Sequence, residues 1–223
     1  MNKQKTAIVL GSTGLVGKKL VDLLIQDSLF SKIKLLVRRP SGFDNPKIVE
    51  YIVDFDNLSS FRSLIQGDVL FSSLGTTIKK AGSKEAQYKV DYIYQYDIAK
   101  AAAENGVSDY ILVSASMANS KSSIFYSRIK GELDDAVVKL PYERVLIFRP
   151  SVLMGERDIK RKGEEIGAKI INGLGKIIPV LRKFRGIKGA EIAQAMLTAF
   201  KNSSSNKATI YTLEKIFDLI ADS

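Results

Sequence analysis

"TAIVLGSTGLVGKKL" (residues 6–20) decides the fold. Its first five residues are a short apolar run rich in β-branched side chains, and the run ends at a glycine turn. Beyond the turn, Leu15, Val16, Leu20, Val21, Leu24 and Ile25 recur at the spacing of one helix face. The stretch reads as strand, glycine turn, helix. Gly11, Gly14 and Gly17 set a G-x-x-G-x-x-G pattern across the turn. Glycines there let the backbone approach a pyrophosphate, and the helix N-terminus behind them offers free N–H groups and a favourable dipole. Glycine triplets alone are weak signals; the strand before and the helix after give this one its meaning.

The same alternation continues outward. "SKIKLLVR" (31–38) and "KIVEYIVD" (47–54) read as the second and third strands, and "NLSSFRSLI" as a short helix. "DVLFSSLG" (68–75) is a fourth strand ending in small residues. A long helix over about 84–105 stops at "NG", followed by a fifth strand, "DYILVSAS" (109–116). A helix over about 123–140 stops at Pro141, and "ERVLIFRP" (143–150) is the sixth strand. Further helices are expected at about 189–202 and 212–221, with a loop at 202–206. Strands apolar on both faces, alternating with helices, predict an α/β fold: a doubly wound parallel sheet with ligands at the C-terminal strand ends. The expectation is one domain over 1–223, with 151–223 forming a small substrate-side lobe.

Composition narrows the chemistry. The chain has 223 residues, with no cysteine and no histidine. That excludes disulfides, Cys- or His-rich metal sites, cysteine nucleophiles and triads with a histidine base, and no metal is expected. Proton chemistry must come from Tyr, Lys, Asp or Glu, and Tyr, which titrates near ~10, needs a neighbouring cation to be useful near neutrality. No apolar run is long enough to span a bilayer. The N-terminal apolar run is too short for a signal peptide and ends at the glycine turn, so it reads as the first strand and the protein as cytoplasmic. The net charge is +10, with ten Lys and Arg between residues 157 and 188. This is either a lysine-rich surface or an attraction for anionic ligands. No nucleic-acid-binding motif accompanies it. Residues 164–187 read as a substrate-covering segment, with a membrane-surface patch or a groove for a partner helix as the alternatives.

The end of the second strand carries Arg38 and Arg39 where an NAD-binding chain would place an acidic residue. Two guanidinium groups suit a 2′-phosphate, so NADP(H) is expected over NAD. Asp54, after the third strand, is placed to accept from an adenine amino group. Ser73, Leu74 and Gly75 would line the cofactor's middle.

The Tyr-x-x-x-Lys spacing occurs at Tyr126–Lys130 and again at Tyr96–Lys100, and with 9 Tyr in a lysine-rich chain about one such pair arises by chance. Position separates them. Tyr96 falls in mid-helix, far from the strand ends, and reads as a packing residue. Tyr126 and Lys130 start the helix that follows the fifth strand and share one face. Ser114 ends that strand, so serine, tyrosine and lysine can converge on a nicotinamide. Lysine would lower the tyrosine pKa, tyrosine would exchange a proton with a carbonyl or alcohol oxygen, and serine would hold that oxygen.

Together, Gly11-x-x-Gly14-x-x-Gly17, Ser114, Tyr126-x-x-x-Lys130 and "FRP" resemble the short-chain dehydrogenase/reductase superfamily. "SLGTTIKKAGS" with "VD" (73–91), "SRIKGELD" and "FRPSVLMGERD" (148–158) are similar to its atypical branch, the Tat-interacting oxidoreductase family. The resemblance implies that Gly11, Thr13, Gly14, Leu15 and Val16 form the phosphate turn and that Arg38 and Arg39 hold the 2′-phosphate. It implies that Leu74 and Gly75 contact the cofactor, that Tyr126 and Lys130 are the acid/base pair with Lys130 also on the ribose, and that Pro150, Val152 and Leu153 wall the nicotinamide. Arg161 falls where similar proteins carry a basic residue near substrate or cofactor. "SAS" (114–116) departs from paired serines, so Ser116 is the alternate to Ser114.

The expected activity is hydride transfer between NADP(H) and a small carbonyl or secondary alcohol, in a monomer or homodimer. A sugar-nucleotide epimerase or dehydratase would use the same pair, but the stretch after the sixth strand is short for it. An NADPH-sensing regulator with little turnover is the third reading.

Overall fold

The computed structural model describes residues 4–154, 186–202 and 206–221. Six strands, β1 (Lys5–Leu10), β2 (Phe30–Val37), β3 (Ile48–Ile52), β4 (Val69–Ser72), β5 (Asp109–Val113) and β6 (Arg144–Arg149), fall where the apolar runs predict them. A short pair, β7 (Leu153–Met154) with β8 (Ile187–Lys188), stands apart, and β9 (Ala208–Thr212) joins the main sheet. That sheet is parallel throughout, in the order β3-β2-β1-β4-β5-β6-β9. The order reverses between β1 and β4, so the chain leaves these neighbours toward opposite edges and opens a crevice at their C-terminal ends.

Both faces of the sheet are covered, which explains strands without polar alternation. On one side α1 (Leu15–Gln26), α6 (Gly189–Lys201) and α7 (Leu213–Ala221) close over Leu20, Leu24, Phe30, Phe71, Phe148 and Phe200. On the other, α4 (Tyr94–Glu104) and α5 (Phe125–Val137) close over Phe61, Ile98, Tyr110, Leu133 and Tyr142. Each such side chain contributes roughly 1.5–3 kcal/mol by leaving water. At the N-terminal strand ends Arg144 pairs with Asp109 and donates to the carbonyls of Asn202 and Phe200, tying β5, β6 and α6 together.

Three features differ from the sequence reading. "NLSSFRSLI" forms two 3₁₀ turns, Leu58–Ser60 and Arg62–Leu64, in place of a helix. The helix expected over 84–105 is continuous but not uniform: α3 (Lys84–Tyr88) passes into α4 through a π-helical segment, Lys89–Ile93. The short α2 (Ile78–Ala81) precedes it. The seventh strand, β9, is unforeseen. As an edge strand it alternates exposed and half-buried residues and lacks the continuous apolar signal of β4 and β5. Much of the stretch expected as a substrate-side lobe therefore completes the sheet and its cover: α6, β9 and α7. Residues 155–185, with Arg161 and nearly all of the basic stretch, lie outside the described residues, as does part of the expected 202–206 loop.

Candidate functional site

The glycine turn sits at the β1/β4 crevice. Gly11 has φ +87°, and a Cβ on it would lie 2.7 Å from the Leu74 nitrogen. A Cβ on Gly17 would lie 2.1 Å from the Gly11 carbonyl oxygen. Both positions are therefore closed to side chains. Gly14 caps α1, the cap makes no side-chain hydrogen bond, and the first turn carries no acidic residue. The leading N–H groups of α1 thus meet no competing side chain and suit an anion. Ser12 Oγ is buried in the turn without a hydrogen-bond partner. An uncapped helix end, an orphaned hydroxyl and a cradle that any Cβ would fill are what a dinucleotide pyrophosphate requires, so the residues fit NAD(P). Thr13 is exposed, Leu15 half-buried, and Val16 is in the core, where only its backbone can serve a phosphate.

From the turn a groove of about 370 Å³ runs across the end of β2, lined by Gly11, Thr13, Arg38, Arg39, Phe55 and Leu74. Arg38 and Arg39 are exposed, and no carboxylate among the described residues pairs with them. Asp54 does not line the groove: its Oδ1 accepts from the Asp56 N–H (3.0 Å) and closes a turn. Phe55 takes the lining position, packed against Phe61 and Tyr94. The sequence signal for it was an aromatic directly after the third strand. Ser73 faces back onto the strand end, its Oγ 3.4 Å from the carbonyl oxygens of Leu10 and Gly11.

Tyr126 and Lys130 lie on the first turns of α5, near enough for Tyr126 to act electrostatically on Lys130. Tyr126 is 43% exposed and Lys130 only 3%. Gly75, next in the chain to the groove-lining Leu74, approaches Lys130: a Cβ there would lie 4.0 Å from Lys130 Nζ. Asp91, which had no assigned role in the sequence reading, lies 3.2 Å from that nitrogen. Burial alone pulls the Lys130 pKa down. Asp91, then Tyr126 and Asp134, outweigh it, and the net direction is upward. Tyr96 packs instead on the core and stacks on Tyr92 (5.8 Å between centroids).

The two candidate serines part company. Ser114 is buried, its Oγ in contact with no solvent and beside Asp134, whose carboxylate binds Arg149 (2.9 Å). Burial raises the Asp134 pKa, with Ser114, Arg149 and Lys130 opposing. Ser114 is thus less open to a substrate oxygen than its exposed neighbour two residues on. Ser116 is exposed in the same loop, fixed by its N–H to the Pro150 carbonyl (2.9 Å). Pro150 itself is buried, Val152 is 72% exposed, and Leu153 packs against the first core.

Fold, crevice and phosphate cradle define a dinucleotide-binding Rossmann protein. The chain belongs to the NAD(P)H-binding family, whose model matches residues 11–139, more than half of its length. It is similar to FMP52 of Eremothecium gossypii, at 34% identity over 96% of this chain and 96% of that protein. FMP52 of Candida glabrata is 34% identical over 99% of this chain and 97% of its own. Rat HTATIP2 is 31% identical over 99% of this chain and 91% of its own, which bears out the resemblance to the Tat-interacting family. Among solved structures, a short-chain dehydrogenase/reductase superfamily protein of Agrobacterium tumefaciens with bound NAD matches at TM-score 0.71 and 15% identity, covering 93% of this chain and 77% of that one. Bordetella bronchiseptica WbmH in complex with NAD+ matches at TM-score 0.71 and 14% identity, covering 98% and 80%. At these identities the structural likeness is one of fold. The fungal FMP52 relatives are named mitochondrial, which overturns the cytoplasmic expectation. A signal-peptide pattern and a membrane span are only two of the sequence features that place a protein, and their lack left other destinations open.

Proposed function

We propose that the chain is an NADP-dependent oxidoreductase that transfers hydride between NADP(H) and a small carbonyl or secondary alcohol. The observation that carries this reading is the groove at the glycine turn. It joins the glycine cradle to Arg38 and Arg39 and reaches Leu74, and the next residue, Gly75, has its Cβ position 4.0 Å from the nitrogen of the buried Lys130, on the helix that carries the accessible Tyr126. Arg38 and Arg39 would form charge-assisted hydrogen bonds with a 2′-phosphate. When bound, NADPH supplies the hydride. Tyr126 donates its hydroxyl proton to the carbonyl oxygen as that oxygen becomes an alkoxide. Lys130, one helical turn on, would hold positive charge behind the tyrosine and, with cofactor bound, would be the residue to bond the nicotinamide ribose, as the family resemblance implies. Ser116 holds the substrate oxygen, in place of the buried Ser114. Val152 gives the site an exposed apolar wall.

Fluorescence titration of NADPH and NADH against the parent and Arg38→Ala/Arg39→Ala tests the cofactor. NADPH affinity should fall about 10–100-fold, as for the loss of charge-assisted hydrogen bonds, with NADH affinity unchanged. Equal effects on both cofactors would refute the NADP assignment. Tyr126→Phe should bind NADPH as the parent does and lose turnover across a panel of aldehydes and ketones. A regulator would keep partner binding and show no turnover to lose.

A further inference from the structure

Lys130 is almost wholly buried, its side chain 4% exposed. Its charged or titratable neighbours among the described residues are Asp91, from the π segment, and Tyr126 and Asp134, from its own helix. Asp134 is engaged with Arg149 of β6, with Ser114 beside it, and acts on the buried Tyr110. Asp91 is left as the direct partner, 1% exposed and 3.2 Å from Lys130 Nζ.

Asp91 also reaches the loop after β4. Its Oδ2 accepts from the Thr76 N–H (3.0 Å), and Gln87 donates to the Thr76 carbonyl (3.1 Å). The residue before, Gly75, has its Cβ position 3.3 Å from Asp91 Oδ1 and 4.0 Å from Lys130 Nζ, so a side chain there would crowd Asp91. Asp91 lies within Lys89–Ile93, and the wider π turn alters which side chains face the strand ends. Gln95 pins the segment: its Nε2 donates to the Asp91 carbonyl (2.8 Å), and its Oε1 accepts from Ser72 Oγ at the end of β4 (2.8 Å).

We propose that Asp91 is the positioning residue of this site: it keeps Lys130 a fixed ammonium beneath the cofactor groove and, through Thr76, couples that ammonium to the cofactor-facing loop after β4. Its importance for turnover rests on the reading of Tyr126 and Lys130 as the reacting pair. The ion pair itself does not. A buried lysine without a counter-ion gives up its proton. With Asp91 neutralised, burial is opposed only by the weaker influences of Tyr126 and Asp134, and Lys130 becomes a neutral amine at lower pH.

The test is an NMR titration of lysine-labelled, cofactor-free protein, with the Lys130 signal assigned by its loss in Lys130→Met. In the parent Lys130 should stay an ammonium to at least its ordinary titration point, and in Asp91→Asn its midpoint should fall by about two pH units or more. A midpoint that does not move overturns the proposal. Where Asp91→Asn does not fold, Asp91→Asn/Lys130→Met decides. Cooperative unfolding regained in the double variant supports the counter-ion role, and equal loss in both overturns it. NADPH affinity is read on the same proteins. A parent that binds no NADPH sinks the proposed function and leaves the lysine titration readable, so the two ideas fail separately.

Discussion

Gly17→Ala isolates the close approach at the centre of the cofactor cradle. Gly17 lies in α1 with helical backbone, so alanine there is conformationally favourable and only space opposes it. The new Cβ would stand 2.1 Å from the Gly11 carbonyl oxygen, against an ordinary contact of at least 3.4 Å. About 1.3 Å must be found by moving α1 off the turn, a shift typically costing 1–3 kcal/mol. The same shift swings the α1 N–H groups off a bound pyrophosphate, and one misaligned charge-assisted hydrogen bond is worth about 1.5–3 kcal/mol, a tenfold or greater loss of affinity. Gly106→Ala is the control. Gly106 has φ +83° with nothing within 4 Å of its Cβ position, and it follows α4 at the opposite end of the sheet. It should cost about 1 kcal/mol in backbone strain and leave cofactor binding alone. Calorimetry and NADPH fluorescence titration read both effects. Gly17→Ala binding within twofold of the parent, or Gly106→Ala losing affinity equally, would refute the reasoning.

Ser116→Ala should lower NADPH-dependent turnover about 10²-fold, the size of an oxyanion donor's contribution, while Ser114→Ala changes it only a few-fold; the reverse order would restore Ser114. Arg144→Ala leaves the Asp109 carboxylate 9% exposed without its guanidinium, which should cost roughly 3 kcal/mol and lower Tm by about 6–12 °C. Calorimetry showing almost no change would contradict that tie. Because the Lys130 pKa is raised on folding, its contribution to stability is full below the ordinary lysine value of 10.5 and is lost as pH rises through the higher folded value. Urea unfolding of the parent should therefore weaken more steeply above that pH than in Asp91→Asn/Lys130→Met; parallel curves would argue against a charged Lys130.

The sheet and its cofactor end were legible because they rest on local rules. Apolar runs such as "TAIVL" and "DYILV" are buried on both faces, and the glycine turn requires backbone that only glycine permits. What escaped depends on contacts between distant segments. Asp91 looks like one more helix acid until the π segment and the α5 lysine are brought together. Ser114 and Ser116 sit two residues apart, and only the three-dimensional path of the loop shows that one faces Asp134 and the other the solvent. Asp54 reads as a cofactor ligand by its place after the third strand, but one of its oxygens closes a turn and Phe55 lines the groove instead. β9 was hidden because an edge strand keeps one half of the apolar pattern.

The most direct test of the account is a structure of the protein with NADP+ bound. The adenosine 2′-phosphate should lie on Arg38 and Arg39, the pyrophosphate on the α1 N-terminus, and the nicotinamide within ~5 Å of the Tyr126 hydroxyl, close enough for proton and hydride to reach one substrate. An empty glycine turn at saturating cofactor would contradict the binding claim, and a nicotinamide farther than that from Tyr126 would contradict the chemistry.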